Sequence, residues 1–316
     1  MAAETRPAPL VLPRSTRAQR TPLTWIRRGG LSTLVFLLPL LLVFGIFSWI
    51  PIGRAVVMSF QETNLVTPST FVGLQNFRDV LADPLLWTAV KNTLYFALLA
   101  LLFGYPVPLL AAVVMSEVRR FKGLYSALAY LPVVIPPVVA VLLWKFFYDA
   151  GPTGVFNTIL GYVGIGPVSW LQDSATVMPS LVLEATWAAA GGTVIIYLAA
   201  LTGVSTDLYE AAEIDRASIW RKVWHVTMPQ LRGILLITFI LQIVGTAQVF
   251  LEPFLFTGGG PANSTTTLLL LIYNYAFANS LGGQYGMATA LSIVLAVILG
   301  LLSAVYFRLT RGWSKS

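Results

Sequence analysis

LSTLVFLLPLLLVFGIFSWIP, residues 31–51, is a stretch of sequence that contains no charged side chain. A hydrocarbon core about 30 Å thick is crossed by about 20 helical residues, so this stretch is long enough to span a membrane. The alternative is a cleaved signal peptide, but the stretch is too long for one and no small-residue cleavage site follows it. We therefore predict a membrane-spanning helix over residues 31–51.

Five further apolar blocks follow it in the chain. They cover residues 92–115, 124–147, 177–200, 234–255 and 286–307. The 316 residues are 57% hydrophobic and only 10% charged, whereas soluble domains are about 25% charged. Two soluble domains would fit the length, but such a chain cannot cover itself with polar surface. We therefore predict an all-α membrane protein with six transmembrane helices, built as one transmembrane domain over residues 31–316.

The basic residues indicate how these spans are oriented. Six spans place both termini on one side, and most of the lysines and arginines fall on that side. They are the arginines of residues 1–30, the turn Arg119, Arg120 and Lys122, the loop Arg216, Arg221, Lys222 and Arg232, and the end Arg308, Arg311 and Lys315. Because basic residues concentrate in the cytoplasm, we predict that both termini are cytoplasmic, with residues 1–30 forming a disordered basic tail. The net charge of +7 then reflects orientation, and no nucleic-acid partner is predicted.

The composition also limits the chemistry of this chain. It has no cysteine and a single histidine, His225, which excludes thiolate metal sites, multi-histidine metal sites and a cysteine nucleophile. No Gly-x-x-x-x-Gly-Lys-Ser/Thr sequence is present to hold phosphates. We predict no metal, no cofactor and no catalytic residue in this chain, and find no acid, base and nucleophile combination that indicates a membrane enzyme.

The loop of residues 203–232 is the longest internal loop, and its pattern predicts two short helices. Asp207 and Glu210 have the spacing of a capping box, which predicts a helix that begins there. A turn at Asp215-Arg216 then leads to a second helix that ends or bends at Pro229. Two interpretations remain open from physics alone: a surface that docks a partner protein, and an amphipathic segment that lies on the membrane interface.

The same loop resembles the EAA loop of permease subunits of bacterial ATP-binding-cassette importers for carbohydrates. The matching residues are Glu210, Ala211, Ala212, Asp215, Ala217 and Pro229. Further segments are similar to those of subunits like the larger maltose-importer permease: Phe71–Phe77, Asp83-Pro84 with Trp87, Asn92-Thr93 and Thr257–Pro261. The resemblance runs from about residue 31 to the C-terminus.

This resemblance implies a channel-forming permease subunit that imports a sugar or oligosaccharide by alternating access. The implied partners are a second similar permease, two cytoplasmic ATPase subunits that bind ATP and Mg, and an external substrate-binding protein. The implied location is the bacterial inner membrane, in contact with its lipid. Coupling to the ATPases falls on Glu210, Ala211, Ala212, Asp215, Arg216, Ala217 and Pro229. The family usually has glycine where this chain has Arg216, so we expect a strained or different turn there.

Five side chains are candidates to line a substrate pathway. Ionisable groups inside spans are costly and point to function, which singles out Glu184 and, nearer the outer end of its span, Glu252. Gln242 and Thr246 lie four residues apart, hence on one helical face, and Trp187 matches a tryptophan near the family's sugar contacts. The alternatives for Glu184 are an ion pair with Lys145 and a position nearer the membrane interface. The alternative for Gln242 and Thr246 is helix–helix hydrogen bonding.

Two other transport functions remain open. An ion-coupled secondary carrier or channel would work without ATPases and would depend on Glu184, which is nearly the only well-placed ionisable group. An importer of glycerol phosphate or another polar solute would use a similar permease, because the sequence does not identify the transported molecule.

Overall fold

The computed structural model describes residues 31–118, 120–278 and 282–310. The predicted tail of residues 1–30 and the residues Arg119, Arg311 and Lys315 lie outside the described residues. Within them the chain is mostly helical, and it divides into a unit that ends at Ala55 and a unit that begins at Val56.

The first predicted span is helical over its whole length. Helix α1 covers Leu31–Phe44, a π-helical turn covers Gly45–Trp49, and α2 covers Ile50–Met58. The helix therefore continues past residue 51, where the predicted span ends.

The unit from Val56 onward contains the remaining elements. They are β1 (Gln61–Glu62), β2 (Thr70–Phe71), α3 (Gln75–Ala82), α4 (Pro84–Leu99), a π-helical turn (Ala100–Gly104), α5 (Pro106–Glu117), α6 (Lys122–Val134), α7 (Pro137–Phe147), α8 (Val155–Gly161), α9 (Val177–Thr202), α10 (Thr206–Ile214), α11 (Ile219–Lys222), a π-helical turn (Val223–Thr227), α12 (Met228–Ala247), α13 (Leu251–Thr257), α14 (Leu268–Phe277) and α15 (Tyr285–Thr310). Strands β1 and β2 pair antiparallel, with Gln61 opposite Phe71.

Each of the three π-helical turns among the described residues is followed, two residues later, by a proline. These prolines are Pro51, Pro106 and Pro229. Proline has no N–H and its ring clashes with the carbonyl four residues earlier, and a wider turn at that point keeps the helix continuous. The second short helix of the loop of residues 203–232 was predicted to end or bend at Pro229. It does not end there, because α11 continues through the π-helical turn into α12.

Five helical stretches of the described residues are long and apolar enough to cross a membrane. They are Ser32–Met58, Pro84–Glu117, Val177–Thr202, Ile219–Thr257 and Tyr285–Thr310. A sixth is present if α6 and α7 count as one span, but they are bent by 97°. The bend lies at Ile135, which is extended because the following Pro136 disfavours helical backbone at that residue. The block predicted as one helix over residues 124–147 is therefore two helices.

Helix α9 is the central packing element of the second unit, since it contacts α5, α6 and α12. Its contact with α6 is very close at Gly191, where a Cβ atom would lie 2.1 Å from the carbonyl oxygen of Ala129. Near the start of α9, the Tyr148 hydroxyl donates a 2.7 Å hydrogen bond to the carbonyl of Ser180. Two of the three clusters of buried apolar side chains among the described residues of this unit therefore contain residues of α9.

Three tyrosines from other helices attach to α12 near its middle. Tyr105 and Tyr306 donate to the carbonyls of Leu235 and Leu236, at 2.8 and 2.6 Å. The third, Tyr197 of α9, shares a 2.8 Å hydrogen bond with the Thr238 hydroxyl. Polar bridges of this kind fix one membrane helix against its neighbours, so they set the rotation of α12.

Two segments that carry the family resemblance meet in space. The Asn92 amide donates to the carbonyls of Asn263 and Thr266, at 2.7 and 2.9 Å, and the Thr93 hydroxyl accepts from the N–H of Leu268. These bonds join α4 to the loop that follows Thr257–Pro261. The apolar helix α14, which is too short to cross a membrane, packs against α4 and α15.

Candidate functional site

A cavity of about 540 Å³ lies between three helical segments of the second unit. One wall comes from residues 96–108, the second from the middle of α9, and the third from α12, α13 and the residues between them. Its polar lining includes Tyr105, Thr186, Thr193, Thr238, Gln242, Thr246, Gln248 and Glu252. A cavity of this size, apolar with a few polar groups, is typical of a small-molecule site.

Gly104 brings two neutral polar groups together in this cavity. A Cβ atom at Gly104 would lie 3.1 Å from Thr186 Oγ1 and 3.6 Å from Gln242 Nε2. Because glycine has no side chain there, the hydroxyl of Thr186 and the amide of Gln242 approach the same place from α9 and α12. An amide and a hydroxyl can each donate and accept a hydrogen bond, which suits a ligand that carries hydroxyl groups.

The two predicted candidates on α12 differ in how their polar atoms are used. Gln242 is half-buried and lines the cavity. Thr246 also lines it, but the side chain is only 6% exposed and its hydroxyl donates to the carbonyls of Gln242 and Ile243, at 2.9 and 3.1 Å. The Thr246 proton is therefore used within its own helix, and Gln242 is the better placed of the two to meet a ligand.

The two acidic candidates lie in different surroundings. Glu252 is half-buried on α13 and lines the cavity. Glu184 on α9 is 2% exposed, is absent from the lining, and its Oε2 atom has no hydrogen-bond partner among the described residues. Glu184 and Lys145 are both described and form no ion pair, and Lys145 is exposed.

Trp187 belongs to a packed aromatic cluster. Its ring lies 5.5 Å from that of Trp144, between centroids, and it does not line the cavity. The structure therefore brings Gln242, Thr246 and Glu252 together, but not Trp187 or Glu184. The sequence reasoning missed Thr186 and Thr193, although their spacing of seven residues places them on one face of α9.

The predicted coupling segment begins with α10, whose start differs from the prediction. The N-cap is Ser205, whose side chain accepts from the N–H of Asp207 at 3.3 Å, so the predicted capping box at Asp207 is wrong. Serine and aspartate both cap well, and the earlier residue does so here. Asp207 instead lies in the first turn, where a negative charge is favourable to the helix dipole.

Helix α10 ends in a turn that keeps the shape typical of glycine. The N–H groups of Arg216 and Ala217 donate to the carbonyls of Glu213 and Ala212, both at 2.9 Å, which is the Schellman pattern. Arg216 occupies its left-handed position with φ 52°, at a cost of about 1–2 kcal/mol. Of the two alternatives predicted for this turn, the structure has the strained one.

The two sides of this turn are braced and carry exposed apolar side chains. Lys222 Nζ lies 2.7 Å from Glu213 Oε1, and the hydroxyls of Tyr209 and Thr227 share a 3.0 Å hydrogen bond. Ile214, Ile219, Trp220 and Trp224 are each more than half exposed. The residues predicted to couple to the ATPases are mostly exposed: Glu210, Ala211, Asp215, Arg216 and Pro229 are exposed, while Ala212 and Ala217 are half-buried.

Residues 104–315 match the sequence profile of the family described as binding-protein-dependent transport system inner membrane component. The chain belongs to this family. It is therefore a multi-pass protein of the inner membrane and a transport subunit, not an enzyme. The family resemblance predicted from the sequence is confirmed.

Known members of this family are similar over almost the whole chain. The arabinooligosaccharide permease AraP of Halalkalibacterium halodurans is 30% identical over 95% of this chain and 94% of its own. The lactose permease LacF of Rhizobium radiobacter is 32% identical over 88% and 93%. The trehalose/maltose permease MalF of Thermococcus litoralis is 29% identical over 88% and 92%.

A solved structure has a similar fold. A chain from a bacterial ABC transporter that imports the acidic polysaccharide alginate superposes with a TM-score of 0.79 and 26% identity, over 92% of this chain and 98% of that one. In another structure, the bacterial alginate transporter is in complex with its periplasmic protein, which holds an alginate pentasaccharide. Among the residues that the structure of the present chain describes, no three His, Cys, Asp or Glu side chains form a metal-binding group.

Proposed function

We propose that this chain is one permease of an ATP-driven importer for a sugar or oligosaccharide. The relatives named above transport arabinooligosaccharides, lactose, and trehalose or maltose. The cavity suits such a substrate because its polar groups include a neutral amide and several hydroxyls, which can match the hydroxyls of a sugar. Gln242 and Thr186 are the side chains that would bind it first.

The proposed topology has six spans with both termini in the cytoplasm. It counts α6 and α7 as one broken span. This arrangement puts Arg120, the basic residues of the coupling segment and Arg308 on one side, in agreement with the positive-inside rule. Strands β1 and β2 and helix α14 then lie outside.

The proposed partners follow from the same reasoning. Two cytoplasmic ATPase subunits would bind ATP and Mg, since this chain has no sequence to hold phosphates. A second permease would complete the pathway, and an external protein would deliver the sugar. The exposed residues Ile214, Ile219, Trp220 and Trp224, together with Glu210 and Ala211, would form the surface that an ATPase subunit covers.

One observation carries the mechanism: helical structure runs without a break from Ile219 to Ala247. This continuous helix, called the rod below, joins the coupling segment to Gln242 and rises about 1.5 Å per residue along its axis. A displacement of α10 and α11 on ATPase closure would therefore move the cavity wall that bears Gln242. Tyr105, Tyr197 and Tyr306 are hydrogen-bonded to the same rod, so neighbouring helices would move with it and change which side the cavity opens to.

Uptake and ATP hydrolysis by the reconstituted complex, with its binding protein, test this function. We expect Glu210→Ala to release the ATPase or to uncouple hydrolysis from uptake. We expect Gln242→Ala to shift only the sugar concentration dependence, by about tenfold, the loss expected for one or two buried hydrogen bonds.

The controls carry the same substitutions at exposed positions. Glu62→Ala lies on β1, and Gln172→Ala lies in the loop between α8 and α9, outside the cavity lining; both should behave like the wild-type chain. If uptake proceeds without ATP and is unchanged by Glu210→Ala, the importer function fails, and an ion-coupled carrier explains the uptake instead.

A further inference from the structure

The cavity carries no positive charge from this chain. Of its lining residues, all of which the structure describes, Glu252 is the only charged one, and no lysine, arginine or histidine is among them. The remaining polar lining is neutral: threonine hydroxyls, two glutamine amides and a tyrosine. The charge of this wall is therefore zero or negative, whichever proton state Glu252 has.

A second carboxyl group lies behind this wall. Glu184 is on α9, which packs directly against α13, the helix that bears Glu252. Neither carboxyl group forms an ion pair with a described lysine or arginine. No cation of the described chain therefore offsets a negative charge placed in this part of the cavity.

We infer that the transported substrate is an uncharged saccharide, and that Glu252 is a residue that discriminates against acidic ones. This inference rests on the proposed function and narrows its substrate class. An anionic sugar that enters the cavity loses water and gains no ion pair from this chain, which is costly for a carboxylate. An ionised Glu252 repels it in addition, and such like-charge contacts are a known way to reject a wrong ligand.

The fold alone does not decide this property. The alginate importer named above has a chain of similar fold, yet it imports an acidic polysaccharide. The charge preference must therefore come from individual lining side chains. In this chain the aromatic and amide groups near Glu252 remain suited to a neutral sugar: Phe250 and Gln248 both line the cavity next to it, and an aromatic ring can pack against the apolar face of a sugar ring.

The experiment measures binding to the complete permease–ATPase complex in nanodiscs, without the external binding protein, so that only the selectivity of the membrane cavity is read. The probes are di- and trisaccharides of glucose and of galactose, each beside the matching glucuronate or galacturonate oligomer. Saturation-transfer NMR detects weak binding of each probe by competition. We expect the wild-type complex to prefer the neutral member of a bound pair by about tenfold, as one unfavourable charge contact would give.

Variants at Glu252 test whether this residue sets the preference. Glu252→Gln should narrow the neutral-to-acidic ratio about threefold or more, and Glu252→Lys should abolish or invert it. Glu62→Lys makes the same charge change as Glu252→Lys, but on the exposed β1 strand, and should leave the ratio as in the wild type. A structural effect of the Glu252 substitutions would weaken both members of a pair equally and would not move the ratio.

The remaining results separate the inference from the function on which it rests. Binding of the uronate members as tight as, or tighter than, the neutral ones would overturn the inference and leave sugar import intact. A ratio that Glu252→Lys leaves unchanged would also overturn it, because the discrimination would come from elsewhere. If no saccharide binds the complex and none stimulates its ATPase with the binding protein present, the proposed function fails and the inference fails with it.

Discussion

Helices α9 and α10 follow each other in the chain, yet their surfaces differ completely. Buried residues are distributed along α9, from Val177 to Tyr197. In α10, which the structure describes in full, no residue is buried. The side chains of α9 are constrained by contacts within this chain, whereas those of α10 are left open, as expected for a surface that a partner covers. Substitutions in α9 should therefore affect folding, and those near α10 should affect coupling.

The sharpest test of this difference is at Gly191. In Gly191→Val the new Cβ would lie 2.1 Å from the carbonyl oxygen of Ala129, and backbone cannot move aside as a side chain can. We expect a loss of at least about 3 kcal/mol of stability, measured as loss of monodisperse protein in detergent and a lower melting temperature.

The neighbouring glycine provides a matched control. A Cβ at Gly192 meets no atom within 4 Å, so Gly192→Val should remain folded. An equal loss of stability in both variants would mean that valine itself, and not the contact with α6, destabilises this part of α9.

An intermediate effect is expected where α9 is hydrogen-bonded to α12. Tyr197→Phe removes the bond to Thr238, which is buried on both sides, and should cost about 1 kcal/mol in thermal or denaturant unfolding. Tyr130→Phe, at an exposed tyrosine of α6, is the control and should cost almost nothing. A Tyr197→Phe protein as stable as the wild type would show that this bond does not hold the rod in place.

The smallest effect is expected in the turn after α10. Arg216→Gly relieves a left-handed backbone conformation, but glycine also gains freedom in the unfolded chain, so we expect a gain of at most about 1 kcal/mol. Slower hydrogen exchange of the amides of residues 212–219, with unchanged uptake, would show it.

Arg221→Gly is the opposite case, because Arg221 lies in the right-handed helix α11, where glycine should speed exchange. Impaired uptake in Arg216→Gly alone would mean that the Arg216 side chain itself contacts the ATPase partner.

Much of the fold could be predicted from the sequence, and the errors have physical causes. The predicted apolar blocks are largely helical, but two of them are interrupted. Residues 124–147 form two helices because of Ile135 and Pro136, and the block of residues 234–255 is interrupted at residues 248–250, between α12 and α13. The helix from Pro84 begins earlier than the predicted residue 92, since the charged Lys91 interrupts the apolar run at that point. The cap at Ser205 was missed because Ser205 and Asp207 are equally good capping types.

The candidate site was predicted less completely. Gln242, Thr246 and Glu252 line the cavity, and Trp187 does not, although all four lie in apolar helices. Thr186 was missed because one threonine in a membrane helix is uninformative until a neighbouring helix approaches it. That approach depends on Gly104, whose missing side chain leaves room for Thr186 and Gln242.

The sequence by itself determined that this chain is an integral membrane protein, which segments form helices, and that it carries no phosphate-binding sequence for ATP. These properties depend on hydropathy, length and local backbone hydrogen bonds, all of which are local. Only the tertiary structure decided which helix faces meet, that Trp187 packs on Trp144 while Gln242 faces a cavity, and that one continuous helix joins that cavity to the predicted coupling segment. These depend on contacts between residues far apart in the chain, which hydrophobic period alone does not specify.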